Sequence, residues 1–179
     1  LKVNKRSKFK YQMVFIGRLS REKNTNLLLD TFNLINQNSL LKNKIKLVIL
    51  GDGKNEFFRK MDNVTYYGKV NYELIKLVLM NSDYLILPSS VEGLPFTVLE
   101  SMSLGIPCIC SNINGVKEVI NNKNGFLFDL KNYEKYEDNL YNWDILSDVD
   151  INYEKNKISL YKKILDAYNI DINLWNVMS

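Results

Sequence analysis

Short apolar runs alternate with longer stretches of helical period along the first 130 residues. Residues 11–16, 46–50, 64–67, 84–87, 106–110 and 125–128 are rich in β-branched, aliphatic and aromatic side chains, and Gly, Pro, Asn or Ser bounds most of them. These features predict strands. Between them, the spacing predicts helices over about 24–36, 55–61, 72–81, 95–104 and 115–121. Runs such as Leu47-Val48-Ile49-Leu50 are apolar at consecutive positions, which a strand tolerates only when both of its faces are covered. Alternating β and α elements with such strands predict a doubly wound α/β domain on a parallel, Rossmann-like sheet. Ligands of these sheets bind beyond the carboxyl ends of the strands, so the loops 17–23, 51–54, 68–71, 88–94 and 111–115 are where chemistry is expected. After Phe128 the chain turns polar to about Asp150. A final helix is expected over 153–168, with Tyr161, Ile164, Leu165 and Tyr168 on one stripe packed back on the core.

Length and composition narrow the classes. At 179 residues, a single compact domain is the default, and 46% hydrophobic residues are enough for a real core. No apolar run approaches the roughly 20 residues of a membrane-spanning helix. Leu1 to Lys10 carries five basic residues without a following apolar segment, unlike a secretory leader, so a cytoplasmic location is expected. Histidine is absent, which removes imidazole as base, shuttle or metal ligand. Cys108 and Cys110 form a lone C-x-C that reads as two core thiols on one face of a strand. The net charge of +4 suits a small anionic ligand or a membrane surface and is too weak to indicate nucleic acid.

Four post-strand blocks follow in order. Phe15 to Lys23 places Gly17 at a strand end, followed by Arg18 and Lys23, a fork and a point charge suited to a diphosphate. Gly51-Asp52-Gly53 opens like a dinucleotide fingerprint, but Glu56 stands where its third glycine belongs. These glycines are expected to turn the backbone beside the cleft instead. Glu92-Gly93-Leu94-Pro95-Phe96 follows a buried strand, and proline at a first helical position predicts a helix opening at Pro95 with an anion-binding N-terminus. Glu100 then lies within the helix, and the two carboxylates on either side of the anion site suit hydroxyl donors such as a sugar and a ribose. Last come Gly105, read as a helix C′ residue, and Gly115, read as a loop residue close to the cleft.

From Phe15 to Asp129 this order, and the E-x7-E element from Glu92 to Glu100 above all, resembles the C-terminal, nucleotide-sugar-binding half of GT-B fold retaining glycosyltransferases of family 4 type. The resemblance implies one half of a GT-B architecture that binds a nucleotide-diphosphate sugar, for transfer to an acceptor hydroxyl in glycan, polysaccharide or glycolipid synthesis. It implies Arg18 and Lys23 as contacts to the donor diphosphate, Glu92 as the carboxylate facing the donor sugar and Glu100 as the holder of the ribose hydroxyls. Gly17, Gly53, Gly68, Gly93, Leu94, Pro95 and Phe96 complete the implied donor site, with 67–70 beside the nucleobase. Pro95 replaces a glycine common in the family and has no N–H to donate.

The implied partner is an acceptor-binding N-terminal domain, for which 1–10 reads as a linker remnant ahead of a domain over 11–179, so the chain is expected to transfer sugar poorly alone. No metal or other cofactor is implied. Asp148-Val149-Asp150 is a D-x-D of the kind that can hold a divalent cation, but its place near a helix start favours a cap or linker. The charge allows a position at the cytoplasmic face of a membrane on a lipid-linked acceptor. A sugar-nucleotide epimerase of related fold and a non-catalytic binding module are the competing readings.

Overall fold

The structure, a computed structural model, describes residues 9–53, 61–131 and 149–168. Six strands form one sheet: β1 (Tyr11–Ile16), β2 (Ile45–Leu50), β3 (Val64–Gly68), β4 (Tyr84–Leu87), β5 (Cys108–Ser111) and β6 (Gly125–Phe128). Their spatial order is β3-β2-β1-β4-β5-β6, and every pairing is parallel. This is the doubly wound order, which reverses between β1 and β4 and opens a crevice there. Met13 pairs with Tyr84 and Val14 with Leu85 across that reversal, so the loops leaving the two strands emerge side by side.

Four helices are described: α1 (Thr25–Gln37), α2 (Tyr72–Met80), α3 (Phe96–Ser103) and α4 (Val149–Ala167). Burial explains why the strands are so apolar. From Met13 to Ile16 and from Leu47 to Leu50 every side chain is buried, as expected where helices cover both faces. Leu28, Phe32 and Ile35 on α1 are fully buried, and a side chain of that size contributes about 1.5–3 kcal/mol when removed from water. The stripe expected near the end of the chain is present: Tyr161, Ile164 and Leu165 are buried. It packs chiefly on α1 and β6 rather than squarely on the sheet. The Tyr153 hydroxyl adds a 2.6 Å bond to Asp30 of α1.

At the amino ends of the strands three tyrosines gather. The rings of Tyr11 and Tyr168 lie 4.2 Å apart, and Tyr84 meets Tyr168 edge-on at 5.1 Å. The Tyr84 hydroxyl donates to the Ala167 carbonyl at 2.7 Å, so the end of α4 is fastened to the side of the sheet opposite the crevice.

Three expectations change. The stretch 115–121 forms successive hydrogen-bonded turns rather than a helix. Gly115 enters them at φ +78°, a left-handed conformation that no right-handed helix continues through. Pro95 sits before α3 rather than in its first turn, with ψ at 89°, and its carbonyl accepts from Val98 and Leu99. β5 begins at Cys108, two residues later than the apolar run suggests. Pro107 has no N–H for the ladder, and the Ile106 N–H is spent on the Ser101 carbonyl, while Gly105, at φ +73°, donates to Met102. Those two bonds close the C-terminus of α3 in a Schellman motif. The expected helix over 55–61 falls outside the described residues except for Met61. Asp148 of the D-x-D and most of the 1–10 segment lie outside them too.

Candidate functional site

The chain reversal between β1 and β4 leaves their two outgoing loops in need of lateral support, and they supply it to each other. The Asn24 side-chain amide donates to the Pro88 carbonyl at 2.8 Å. Asn24 does this from a left-handed conformation, φ 48°, at the cap position of α1, which asparagine tolerates better than most residues. In return, the Ser90 backbone N–H and hydroxyl both donate to the Glu22 carbonyl, at 2.8 and 3.2 Å. Across this seam Lys23 Nζ meets Glu92 Oε1 at 2.5 Å, with the side chains 24% and 11% exposed.

The loop after β5 locks the arrangement from the other side. The Ser111 hydroxyl donates to the Ser89 carbonyl, and both residues are fully buried. Gly115 lies so close to the Glu92 and Gly93 carbonyls that a Cβ built on it would overlap both. Cys110 is buried beneath the same loop. Its thiol is pushed well above its usual range by its hydrogen bond with Cys108, by burial and by the negative charge of Glu92.

The loop after β2 is fixed to the loop after β1 by the Leu19 N–H, which donates to the Asp52 carbonyl at 2.8 Å. The Tyr66 hydroxyl lies 3.0 Å from the Gly51 carbonyl and 3.1 Å from that of Gly53. Gly51 donates to the Gly68 carbonyl. The glycines of the G-x-G therefore shape the wall of the crevice.

The N-terminus of α3 opens just beyond Glu92. No side chain caps it, no acidic residue occupies its first turn, and Gly93 and Leu94 are exposed ahead of it. The first amides of any helix lack intrahelical acceptors, so those of Phe96 and Thr97 are free for an anion. Pro95 is buried and gives none, while Phe96 projects outward at 70% exposure. Glu100, one turn along, lines an open groove between α2 and α3 with Tyr72, Ile75, Lys76, Ser103 and Leu104. Arg18 is exposed on the loop after β1, and Gly17 donates to the Leu50 carbonyl at the base of that loop.

Lys23 and Glu92, 69 residues apart in sequence, are thus joined directly, and α3 begins four residues after Glu92. Glu100 lies one turn further along α3, at the groove between α2 and α3. Asn24, Ser90 and Ser111 hold the loops and were not expected from the sequence. An Asn at the start of a helical pattern, and serines at or shortly beyond the carboxyl ends of buried strands, are the signals that mark them.

Comparison with known proteins assigns the family. Residues 2–143 match the family described as Glycosyl transferases group 1. The chain belongs to that family. A relative from Escherichia coli, UDP-Gal:alpha-D-GlcNAc-diphosphoundecaprenol alpha-1,3-galactosyltransferase, is 33% identical over 145 residues, covering 74% of this chain and 35% of the relative. The chain thus spans about a third of that curated relative's length. Among solved structures, the lipopolysaccharide outer core galactosyltransferase WaaB in its apo form superposes with a TM-score of 0.57 at 26% identity, over 94% of this chain and 50% of that one. The pneumococcal O-GlcNAc transferase GtfA, in complex with UDP and GlcNAc, gives a TM-score of 0.66 over 90% of this chain and 29% of that one. At 17% identity, this second likeness concerns the fold alone. The group 1 domain thus has the Rossmann-like sheet of one half of a GT-B architecture. Among the described residues no helix is long and apolar enough to cross a membrane.

Proposed function

We propose that this group 1 domain is the donor-binding half of a retaining glycosyltransferase of family 4 type. In this reading it seats a nucleotide-diphosphate sugar in the crevice between β1 and β4 for transfer to an acceptor hydroxyl. The observation that carries the reading is the meeting of Lys23 with Glu92 at the chain reversal, directly ahead of the uncapped N-terminus of α3. Cation, carboxylate and free amides then stand where a phosphorylated sugar presents anionic oxygens and hydroxyls together. Arg18 and Lys23 contact the diphosphate, and with the α3 amides they stabilise the charge that builds on the departing nucleoside diphosphate. Glu92 accepts from sugar hydroxyls, and Glu100 accepts from the ribose. Gly17, Gly53 and Gly68 border the seat, and Gly93, Leu94 and Phe96 lend backbone donors that Pro95 cannot.

The acceptor site belongs to a second domain, with 1–10 as the segment leading to it and 11–179 as the donor domain. Since the relatives include a galactosyltransferase named for UDP-Gal and diphosphoundecaprenol, UDP is the first nucleotide to test. A lipid-linked acceptor at the cytoplasmic face of a membrane is the matching proposal, and donor binding needs no metal.

Calorimetric titration with UDP, GDP, ADP and NAD in the presence of EDTA tests the reading. One nucleoside diphosphate should bind saturably, and Lys23→Ala should weaken it roughly ten- to hundredfold, the loss of about 1.5–3 kcal/mol in a charge-assisted bond. Undiminished affinity in Lys23→Ala refutes the role of Lys23, and binding lost in EDTA refutes metal independence.

A further inference from the structure

The ammonium group proposed to receive the diphosphate already holds an anion. Lys23 Nζ is 2.5 Å from Glu92 Oε1, and the carboxylate is only 11% exposed, so water solvates it poorly on the other sides. The other ion pairs among the described residues, Lys157–Glu154 and Lys163–Asp166, join neighbours along α4. This one spans the crevice. The loops it joins are otherwise held by neutral bonds, Asn24 to Pro88 and Ser90 to Glu22, which do not depend on the pair. The pair can therefore open while the loops stay in place.

We infer that the Lys23–Glu92 pair is a latch that makes sugar recognition conditional on the diphosphate. The inference rests on the donor-site reading above. A diphosphate entering beside α3 brings more negative charge than one carboxylate and adds the helix amides as partners, so it takes over the ammonium. Glu92, repelled by the incoming charge and released by Lys23, then turns its oxygens to the sugar. Without a diphosphate, the carboxylate stays occupied, and a free sugar finds no acceptor there. Glu92 consequently works against the diphosphate while it waits and for the sugar once the diphosphate is seated.

The two effects separate in one variant. Glu92→Gln keeps the shape of the side chain and removes the competing charge. Wild type, Glu92→Gln, Lys23→Met and the double variant are titrated with inorganic pyrophosphate and with UDP, GDP and ADP, each also as its hexose conjugate. In Glu92→Gln, affinity for pyrophosphate and for the nucleoside diphosphate that wild type prefers should rise about three- to tenfold, the range for a partly exposed charge pair. The preference for the sugar conjugate over the bare diphosphate should fall in the same variant. In the Lys23→Met background, the Glu92→Gln gain should shrink to the simple repulsion left between Glu92 and the ligand. Equal or weaker diphosphate binding in Glu92→Gln overturns the latch while leaving the donor site standing, provided that wild type binds and Lys23→Met binds more weakly than wild type. If wild type binds none of these ligands, the donor-site reading fails and takes the latch with it. Should Glu92→Gln not fold by far-ultraviolet circular dichroism, Glu92→Ala, which also removes the competing charge, carries the same comparison.

Discussion

Three glycines that look alike in sequence differ in what a methyl group would meet, and this yields a graded prediction. At Gly93 the backbone is not left-handed, and a Cβ would have nothing within 4 Å. At Gly105, φ is +73° and the space around a Cβ is likewise open. At Gly115, φ is +78°, and the Cβ would overlap the carbonyls of Glu92 and Gly93. Alanine lowers the entropy of the unfolded chain, which by itself stabilises by about 0.4–1 kcal/mol. A left-handed backbone costs a non-glycine residue about 1–2 kcal/mol. Forcing packed groups apart adds roughly 1–3 kcal/mol more. Gly93→Ala should therefore be neutral to slightly stabilising. Gly105→Ala should lose about 0.5–1 kcal/mol, and Gly115→Ala about 2–4 kcal/mol, summing these terms. Equilibrium unfolding in urea measures all three. With a slope of about 2 kcal/mol/M, Gly115→Ala should move the midpoint down by about 1–2 M at an unchanged slope. The second readout is nucleotide affinity, because the displaced carbonyls belong to the segment that carries Glu92. A Gly115→Ala protein no less stable than Gly105→Ala, or a costly Gly93→Ala, would refute the reasoning.

Other expectations follow from buried polar groups. Asn156 is buried and bonds both the N–H and the carbonyl of Lys131, at 2.7 and 3.2 Å; Asn156→Ala should cost about 1–3 kcal/mol in urea unfolding by leaving both unpaired. Cys108 and Cys110 are buried, with the Cys110 thiol raised, so a thiol reagent at pH 8 should label neither until the chain unfolds; rapid labelling of the native protein would contradict the packing of β5. Burial, followed by the charge of Asp83, raises the Tyr168 phenol far above its usual value. The folded state therefore holds that proton more tightly than the unfolded state, and the resulting stability is present below about pH 10 and lost as pH rises further. Tyr168→Phe should flatten this alkaline decline in thermal melts, and it should not destabilise at pH 7, since the hydroxyl finds no partner among the described residues.

The parts of the fold legible in the sequence are those where side-chain chemistry acts locally. β1, β4 and β6 lie where the apolar runs place them, because polar residues, glycine or proline bound each run: Lys10 and Gly17, Asp83 and Pro88, Asn124 and Asp129. The stripe of α4 is legible from the spacing of Tyr161, Ile164 and Leu165. The segment after β5 misleads because Val116 and Ile120 sit at helical spacing, while the backbone of Gly115, invisible to any count of apolar positions, turns the chain the wrong way for a helix. The start of β5 is obscured by a capping bond made for the preceding helix. At the site, the residue types and their order are legible, because cations, carboxylates and glycines follow strand ends. That Lys23 and Glu92 touch is not legible, since the contact exists only because strand order reverses between β1 and β4 and brings together loops about 70 residues apart.

The seam between these loops also bears on how freely the crevice can be rewritten. Its acceptors are main-chain oxygens of Glu22, Pro88 and Ser89, which every amino acid provides. Among the described residues, Asn24, Ser90 and Ser111 are the side chains that donate to these oxygens. A library that fixes those three and randomises the exposed Arg18, Val91 and Leu94 should retain cooperative unfolding in most of its members. The crevice is in this sense a mounting whose fasteners are few and indifferent to what is mounted, so new ligand preferences can be sought there without redesigning the sheet beneath.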